Sequence, residues 1–271
     1  MLAIITCSYT LNIGILAAFY TYINLIHILY YVYLKQITND KTGCVSYMGY
    51  CASCGVGYVV DPLEDIEPYL QIAKNDSIKI THIFNTHIQA DHISGDRKLA
   101  YKTGAKIYMH ESARVNYDFE PLKDGDTLAI GNPQIKIIHT PGHTPESMSL
   151  LFTEYPRKSE SILLTGDTLF RGNVGRLDLE GAGTPEQLYD SIKKLFSLDD
   201  YVAVLPSHFG KSQCGVGLSS VPISTIGYKK RFNRSVDALS DKQKFIDYMK
   251  NQKTMEIPDH IKIKNINKEN N

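Results

Sequence analysis

The sequence predicts an α/β fold: an αββα sandwich in which two mixed β-sheets pack face to face under outer helices. Three observations lead there. Short runs rich in Val, Ile and Tyr recur in two groups, as strands do. Segments with apolar residues at i, i+3, i+4 and i+7 interrupt both groups, the spacing of helices that cover a sheet. No internal repeat and no low-complexity linker divides residues 35–258, so both groups belong to one domain.

The elements follow in order. Tyr33–Ile37, Val45–Gly49 and Gly57–Val60 read as strands, and Asp61-Pro62 ends the third. Ile66, Tyr69, Leu70 and Ala73 give Asp65–Lys74 a helical face. Ile78–Phe84 is a buried strand, Asp96–Thr103 a helix stopped by Gly104, and Lys106–Met109 a short strand. Thr127–Ile130 and Gln134–His139 form a hairpin about Gly131-Asn132, and Ser147–Phe152 and Ser161–Leu164 follow as strands. Thr184 before Pro185 starts a helix that runs to Phe196, with Thr184 as its cap. Tyr201–Leu205 is the last clear strand, and helices at 225–233 and 241–251 close the domain. The polar tail 259–271 is expected to fray.

The ends differ from the body. All 29 basic and 29 acidic residues fall after residue 34, so the head 1–31 is a separate segment before a domain at 32–258. Residues 13–34 are long enough to cross a bilayer as a helix, although Asn24 and His27 interrupt them. The head has neither the basic start nor the cleavage site of a signal peptide. It reads as a membrane anchor, as an extra buried segment, or as residues upstream of the true start. The zero net charge argues against nucleic acid as a partner. Five cysteines form no even framework, so a reduced, cytoplasmic setting is expected, with membrane attachment through 13–34 if the head is an anchor. Cys51 and Cys54 have the spacing of a zinc knuckle or redox pair, but no second pair accompanies them, and they read as small residues of a hairpin turn.

The chemistry sits on loops just after strands. His87, Gln89, Asp91 and His92 follow the strand ending near Asn85. His143 follows 134–139, Asp167 follows 161–165, and His208 follows 201–205. Imidazole and carboxylate groups are ligands of borderline divalent metals, and four strand ends at one rim can assemble such a site. His82, His110 and His139 lie in or beside strands and read as structural. Asp61 is expected to cap a turn, and Cys214 to be a small buried thiol.

The order His-x-x-x-Asp-His, then His, Asp and His, resembles the metallo-β-lactamase superfamily, and the match runs from residue 35 to about 251. THIQADHISG at 86–95, TPGHTPES at 140–147 and GDTLFRGNVGRLD at 166–178 resemble its persulfide dioxygenase and glyoxalase II branch. SQCGVGL at 212–218 and STIGYKKRFN at 224–233 resemble the members often fused to a rhodanese domain, here expected without it.

The resemblance implies two metal sites in the hydrolases: His87, residue 89, His143 and Asp167 at one, and Asp91, His92, His208 and Asp167 at the other. Residue 89 here is Gln, a poor zinc ligand. His87, His143 and Asp167 remain, the two-His, one-carboxylate set of non-haem iron oxygenases. The expectation is therefore one Fe(II) per chain on these three residues and oxidation of a small thiol persulfide, such as glutathione persulfide, by O2 to sulfite and free thiol. Asp91, His92, His208 and Gln89 would surround the site or hold a second metal, the former being favoured. Arg176 is the first candidate to grip a substrate carboxylate, with Tyr228, Lys230 and Arg231 behind it. The rival is a zinc-dependent hydroxyacylglutathione (thioester) hydrolase of the glyoxalase II kind. A non-enzymatic persulfide-binding protein and a nuclease are disfavoured. A homodimer is the default assembly.

Overall fold

The computed structural model describes residues 23–28, 32–154, 159–210 and 212–269. The first sheet holds β1 (Ile23–Ile28), β2 (Val32–Asn39), β3 (Cys44–Cys51), β4 (Val56–Val60), β5 (Lys79–Phe84), β6 (Lys106–His110) and β7 (Glu120–Leu122), side by side in chain order. Strands β1 to β4 pair antiparallel, and β4 to β7 pair parallel. Parallel neighbours need a crossover. Helices α1 (Glu67–Asn75) and α2 (Asp96–Thr103) provide it on either side of β5.

The second sheet holds β8 (Thr127–Ala129), β9 (Gln134–His139), β10 (Met148–Glu154), β11 (Ser159–Gly166), β12 (Ala203–Pro206) and β13 (Ser224–Thr225), in the order β13-β12-β11-β10-β9-β8. The β11–β12 pair is parallel and is joined through α3 (Pro185–Leu195). Thr184 and Gln187 close a reciprocal capping box at the start of α3. Helices α4 (Ile226–Phe232), α5 (Lys242–Lys250) and α6 (His260–Lys268) complete the described chain.

Alternation in the strands builds the layers. Met148, Leu150 and Phe152 of β10 join Tyr47, Tyr58, Phe84, Ile137 and Leu164 between the sheets. Leu151, between them in sequence, points to the other face and packs with Leu188, Ile192, Leu195 and Phe245 of α3 and α5. Tyr69, Ile72 and Leu99 of α1 and α2 cover the outer face of the first sheet. Helix, sheet, sheet and helix thus form the expected αββα sandwich.

Two expectations change. The span 13–34 is not one helix: Ile23–Ile28 and Val32–Asn39 are paired strands, so the first sheet reaches back into the head. Residues 1–22 and 29–31 lie outside the described residues. Among the described residues no helix is long and apolar enough to cross a membrane. The tail does not fray. Residues 260–268 form α6, whose Asn267 is buried against the loop after β5. Hydrogen bonds of Asn267 hold it, with Ile263 and Ile266 half-buried at i, i+3 spacing beside them.

Candidate metal centre

The carboxyl ends of β4, β5, β9, β11 and β12 meet at one rim of the sandwich. The two sheets are stitched together there. Val45 N–H donates to Ser207 O at 2.7 Å, and Phe209 N–H to Gly43 O at 2.9 Å. Met148 N–H donates to Thr86 O at 2.9 Å. These bonds tie β3 to the loop after β12 and the start of β10 to the loop after β5, and Ser207 N–H, donating to Gly166 O at 3.1 Å, adds the end of β11.

His87, His143 and Asp167 come together and are buried. Asp167 Oδ2 lies 3.6 Å from His87 Nε2 and 3.5 Å from His143 Nε2. That oxygen is buried and makes no hydrogen bond among the described residues. A buried carboxylate oxygen without a partner is costly. A divalent cation about 2.1 Å from each donor would satisfy all three groups at once. The rings are already turned for it. His143 Nδ1–H donates to Arg176 O at 2.9 Å, leaving Nε2 to face Asp167. His87 Nδ1 lies 2.9 Å from Thr86 Oγ1. Burial, only partly offset by Asp167, pushes His87 down to about 3, so its ring is neutral, the form that ligates metals. Burial works against ionisation of Asp167, but His208 and His87 outweigh it and hold the carboxyl at about 2.

A second group adjoins the first. His208 Nδ1 lies 2.6 Å from Asp167 Oδ1, and its Nε2 lies 2.8 Å from Asp91 Oδ2. Burial opposes charge on His208, yet Asp167 and the anionic groups around it keep its proton well above the ordinary imidazole range. Asp91 Oδ1 reaches His92 Nδ1 at 2.9 Å, and Cys44 Sγ stands 3.3 Å from Asp91 Oδ2. Cys44, Asp91, His92 and His208 form a four-donor cluster able to hold a metal. Nothing in the local sequence marks Cys44. It reaches the cluster because the start of β3 pairs with the loop of His208.

Gln89 is buried, and neither its Oε1 nor its Nε2 finds a partner among the described residues. Its backbone is held instead. Asn267 of α6 donates to Gln89 O at 3.0 Å and to His92 O at 2.8 Å, and accepts from Ser94 N–H at 2.9 Å. Asp61 exceeds its expected role as a turn cap. Its carboxylate accepts from Thr86 N–H and Thr86 Oγ1, both at 2.7 Å, and from Ser207 Oγ at 2.6 Å. It thereby grips the residues just before His87 and His208.

The expected substrate residues are engaged elsewhere. The Arg176 side chain is only 2% exposed. Its guanidinium binds both oxygens of Asp178, at 2.8 and 2.7 Å, and the carbonyls of Gln213 and Met255, each at 2.7 Å. This arginine fastens three segments together, and its carbonyl orients His143. Lys230 and Arg231 both face Asp200, at the end of β12 remote from His208. The Tyr228 ring carries Arg171 at 5.0 Å and stands beside Phe232. His110 and His139 stack on each other at 3.7 Å, and His82 stacks against Tyr108 at 5.0 Å and Phe84 at 6.1 Å, outside the rim. Cys214 is buried beside His208 and Asp167.

An αββα sandwich with imidazole and carboxylate donors at its rim defines a class of metal-dependent hydrolases and oxidoreductases. The family model of the metallo-beta-lactamase superfamily matches residues 43–208, and the chain belongs to that superfamily. A metallo-beta-lactamase from Staphylococcus aureus subsp. aureus COL is similar in structure, with a TM-score of 0.81 and 31% identity over 88% of this chain and 73% of that one. ETHE1 from Myxococcus xanthus shares the fold, with a TM-score of 0.74 and 24% identity over 86% of this chain and 99% of that one. The hydroxyacylglutathione hydrolase of Rhodospirillum rubrum is 35% identical over 164 residues. This chain spans about 60% of the length of that relative.

Proposed function

We propose that this protein is a mononuclear iron persulfide dioxygenase. One observation carries the reading. The unpartnered Asp167 Oδ2 faces the Nε2 atoms of His87 and His143, while the position two residues after His87 supplies an amide. Two imidazoles and one carboxylate suit Fe(II) with positions left open. The net reaction is R-S-S⁻ + O2 + H2O → R-SH + HSO3⁻. Iron, when bound, would supply one-electron chemistry toward dioxygen and a Lewis acid for the sulfur.

The chain's own residues do the positioning. Arg176 O fixes the His143 tautomer, and Asp61, through Thr86, fixes the loop of His87. Glu146 Oε1 accepts from Ile88 N–H at 3.0 Å and ties that loop to the one bearing His143. His208 bridges Asp167 and Asp91, which supports a role for Asp91, His92 and His208 in orienting Asp167 rather than in holding a second metal.

A second reading is a zinc-dependent thioester hydrolase. The identity to hydroxyacylglutathione hydrolase and the four-donor Cys44 cluster favour it. One experiment separates them: purification under reducing, anaerobic conditions, then metal analysis, oxygen uptake with glutathione persulfide and hydrolysis of S-lactoylglutathione. Stoichiometric iron with oxygen uptake is expected. Zinc with thioester cleavage and no oxygen uptake refutes the dioxygenase. Asp167→Ala should lose metal and activity under either reading.

A further inference from the structure

The pair Cys51 and Cys54 lies apart from the metal rim. Cys51 ends β3 and Cys54 sits in the turn before β4. At this end Val56 pairs with Lys79, the first residue of β5, whose other end leads to His87. At about 3.3 Å per residue, β4 alone sets the pair roughly 16 Å from the site.

The two sulfurs are 2.7 Å apart. That is closer to the ~2.05 Å of a disulfide than to the spacing of sulfurs merely packed together. The turn holds them there. Cys54 N–H donates to Cys51 O at 3.2 Å, and Ser53 Oγ stands 3.3 Å from Cys51 Sγ and 3.8 Å from Cys54 Sγ. The opposing β8–β9 turn is shaped to the pair. Gly131 has φ +69°, and a Cβ there would fall 2.6 Å from Cys51 Cβ and 2.8 Å from Cys54 Sγ. Only glycine leaves room for both sulfurs. Burial disfavours the Cys51 thiolate, but hydrogen bonds from Cys54, Ser53 and the Asn132 backbone outweigh it and lower this thiol, while the same Cys51 contact raises Cys54, so access rather than acidity assigns the entry role. Cys51 is fully buried, whereas Cys54 is exposed. Among the described residues no third donor joins them in a metal-binding group, so a zinc knuckle does not account for the pair.

We propose that Cys51 and Cys54 form a redox-active dithiol that exchanges with low-molecular-weight disulfides, with Cys54 as the point of entry and Cys51 as the resolving thiol. The Cys54 thiolate attacks R-S-S-R, forming Cys54-S-S-R and releasing R-S⁻. The Cys51 thiolate then attacks Cys54 Sγ, forming the internal disulfide and releasing the second R-S⁻. Both thiol protons go to the departing thiolates. The protein loses two electrons and the small disulfide gains them. The hairpin turn expected from sequence is thus also a reactive site, independent of the reaction at the metal.

The test uses the full chain as purified, reduced and then exposed anaerobically to glutathione disulfide. Intact mass and peptide mapping should show loss of two hydrogens and a Cys51–Cys54 link, reversed by dithiothreitol. Cys51→Ser should instead accumulate one stable glutathione on Cys54, because nothing resolves it. Cys54→Ser, a change at an exposed position, should leave Cys51 unmodified and the metal content unaltered. Wild-type protein whose two thiols stay alkylatable, or which keeps a glutathione on Cys54, overturns the proposal. So does a link between other cysteines.

Discussion

Replacing Asn267 by Ala removes a side chain that makes three hydrogen bonds to the loop carrying His87 and His92. The bonds are 3.0 Å to Gln89 O, 2.8 Å to His92 O and 2.9 Å from Ser94 N–H. Asn267 is 3% exposed, so water cannot readily take over the two carbonyls it leaves behind. At about 0.5–1.5 kcal/mol for each net hydrogen bond, the loss comes to roughly 3 kcal/mol. With a urea m-value of about 2–3 kcal/mol/M, the unfolding midpoint should fall by roughly 1 M. The assay is urea unfolding of the metal-free protein, followed by far-ultraviolet circular dichroism. The same variant should release its metal faster to a chelator, because the loop that positions His87 has lost its clamp. A midpoint within about 0.2 M of wild type, near the roughly 0.5 kcal/mol scatter of neutral surface changes, would refute the claim that α6 anchors the metal loop.

Gln89→His restores an imidazole two residues after His87, so bound zinc should rise while persulfide-dependent oxygen uptake gains little. A large gain in oxygen uptake contradicts the reading of position 89. Asp61→Ala leaves the donors of Thr86 and Ser207 buried without an acceptor. It should cost about 3 kcal/mol in urea unfolding and weaken metal retention, and an unchanged midpoint argues against it. Acid stability should depend on Asp178. Burial acts to raise its carboxyl, but hydrogen bonds from Arg176 and Thr254 prevail and lower it from 3.8 to about 2. The unfolded chain therefore takes up this proton first, and the stabilisation is full above pH 3.8 and lost between pH 3.8 and about 2. Asp178→Asn should lower the urea midpoint above that window and flatten its pH dependence within it. Parallel pH curves for variant and wild type would exclude this role.

Much of the molecule is legible without coordinates, for local reasons. Alternation in 148–152 reports two covered faces, and Thr184-Pro185 with Gln187 reports a capped helix, because each pattern is satisfied within a few residues. The fold class follows from the same patterns taken together. His87, His143 and Asp167 stand out because donor chemistry at successive strand ends survives in any register that keeps those ends together.

What local patterns do not carry is which loops touch. Cys44 joins Asp91, His92 and His208 only because the start of β3 pairs with the 207–209 loop. Arg176 looks free in sequence, yet carbonyls from residues 213 and 255 close around its guanidinium. Lys230 and Arg231 look like an anion site, yet Asp200 occupies them. The tail looks unstructured, yet Asn267 finds backbone partners some 175 residues away. The amino-acid sequence alone determined the layers and the three converging donors, since periodicity and side-chain chemistry are local properties. Tertiary structure decided which polar groups spend their hydrogen bonds on each other and which, like Asp167 Oδ2, find no such partner among the described residues, since that is set by contacts between distant segments.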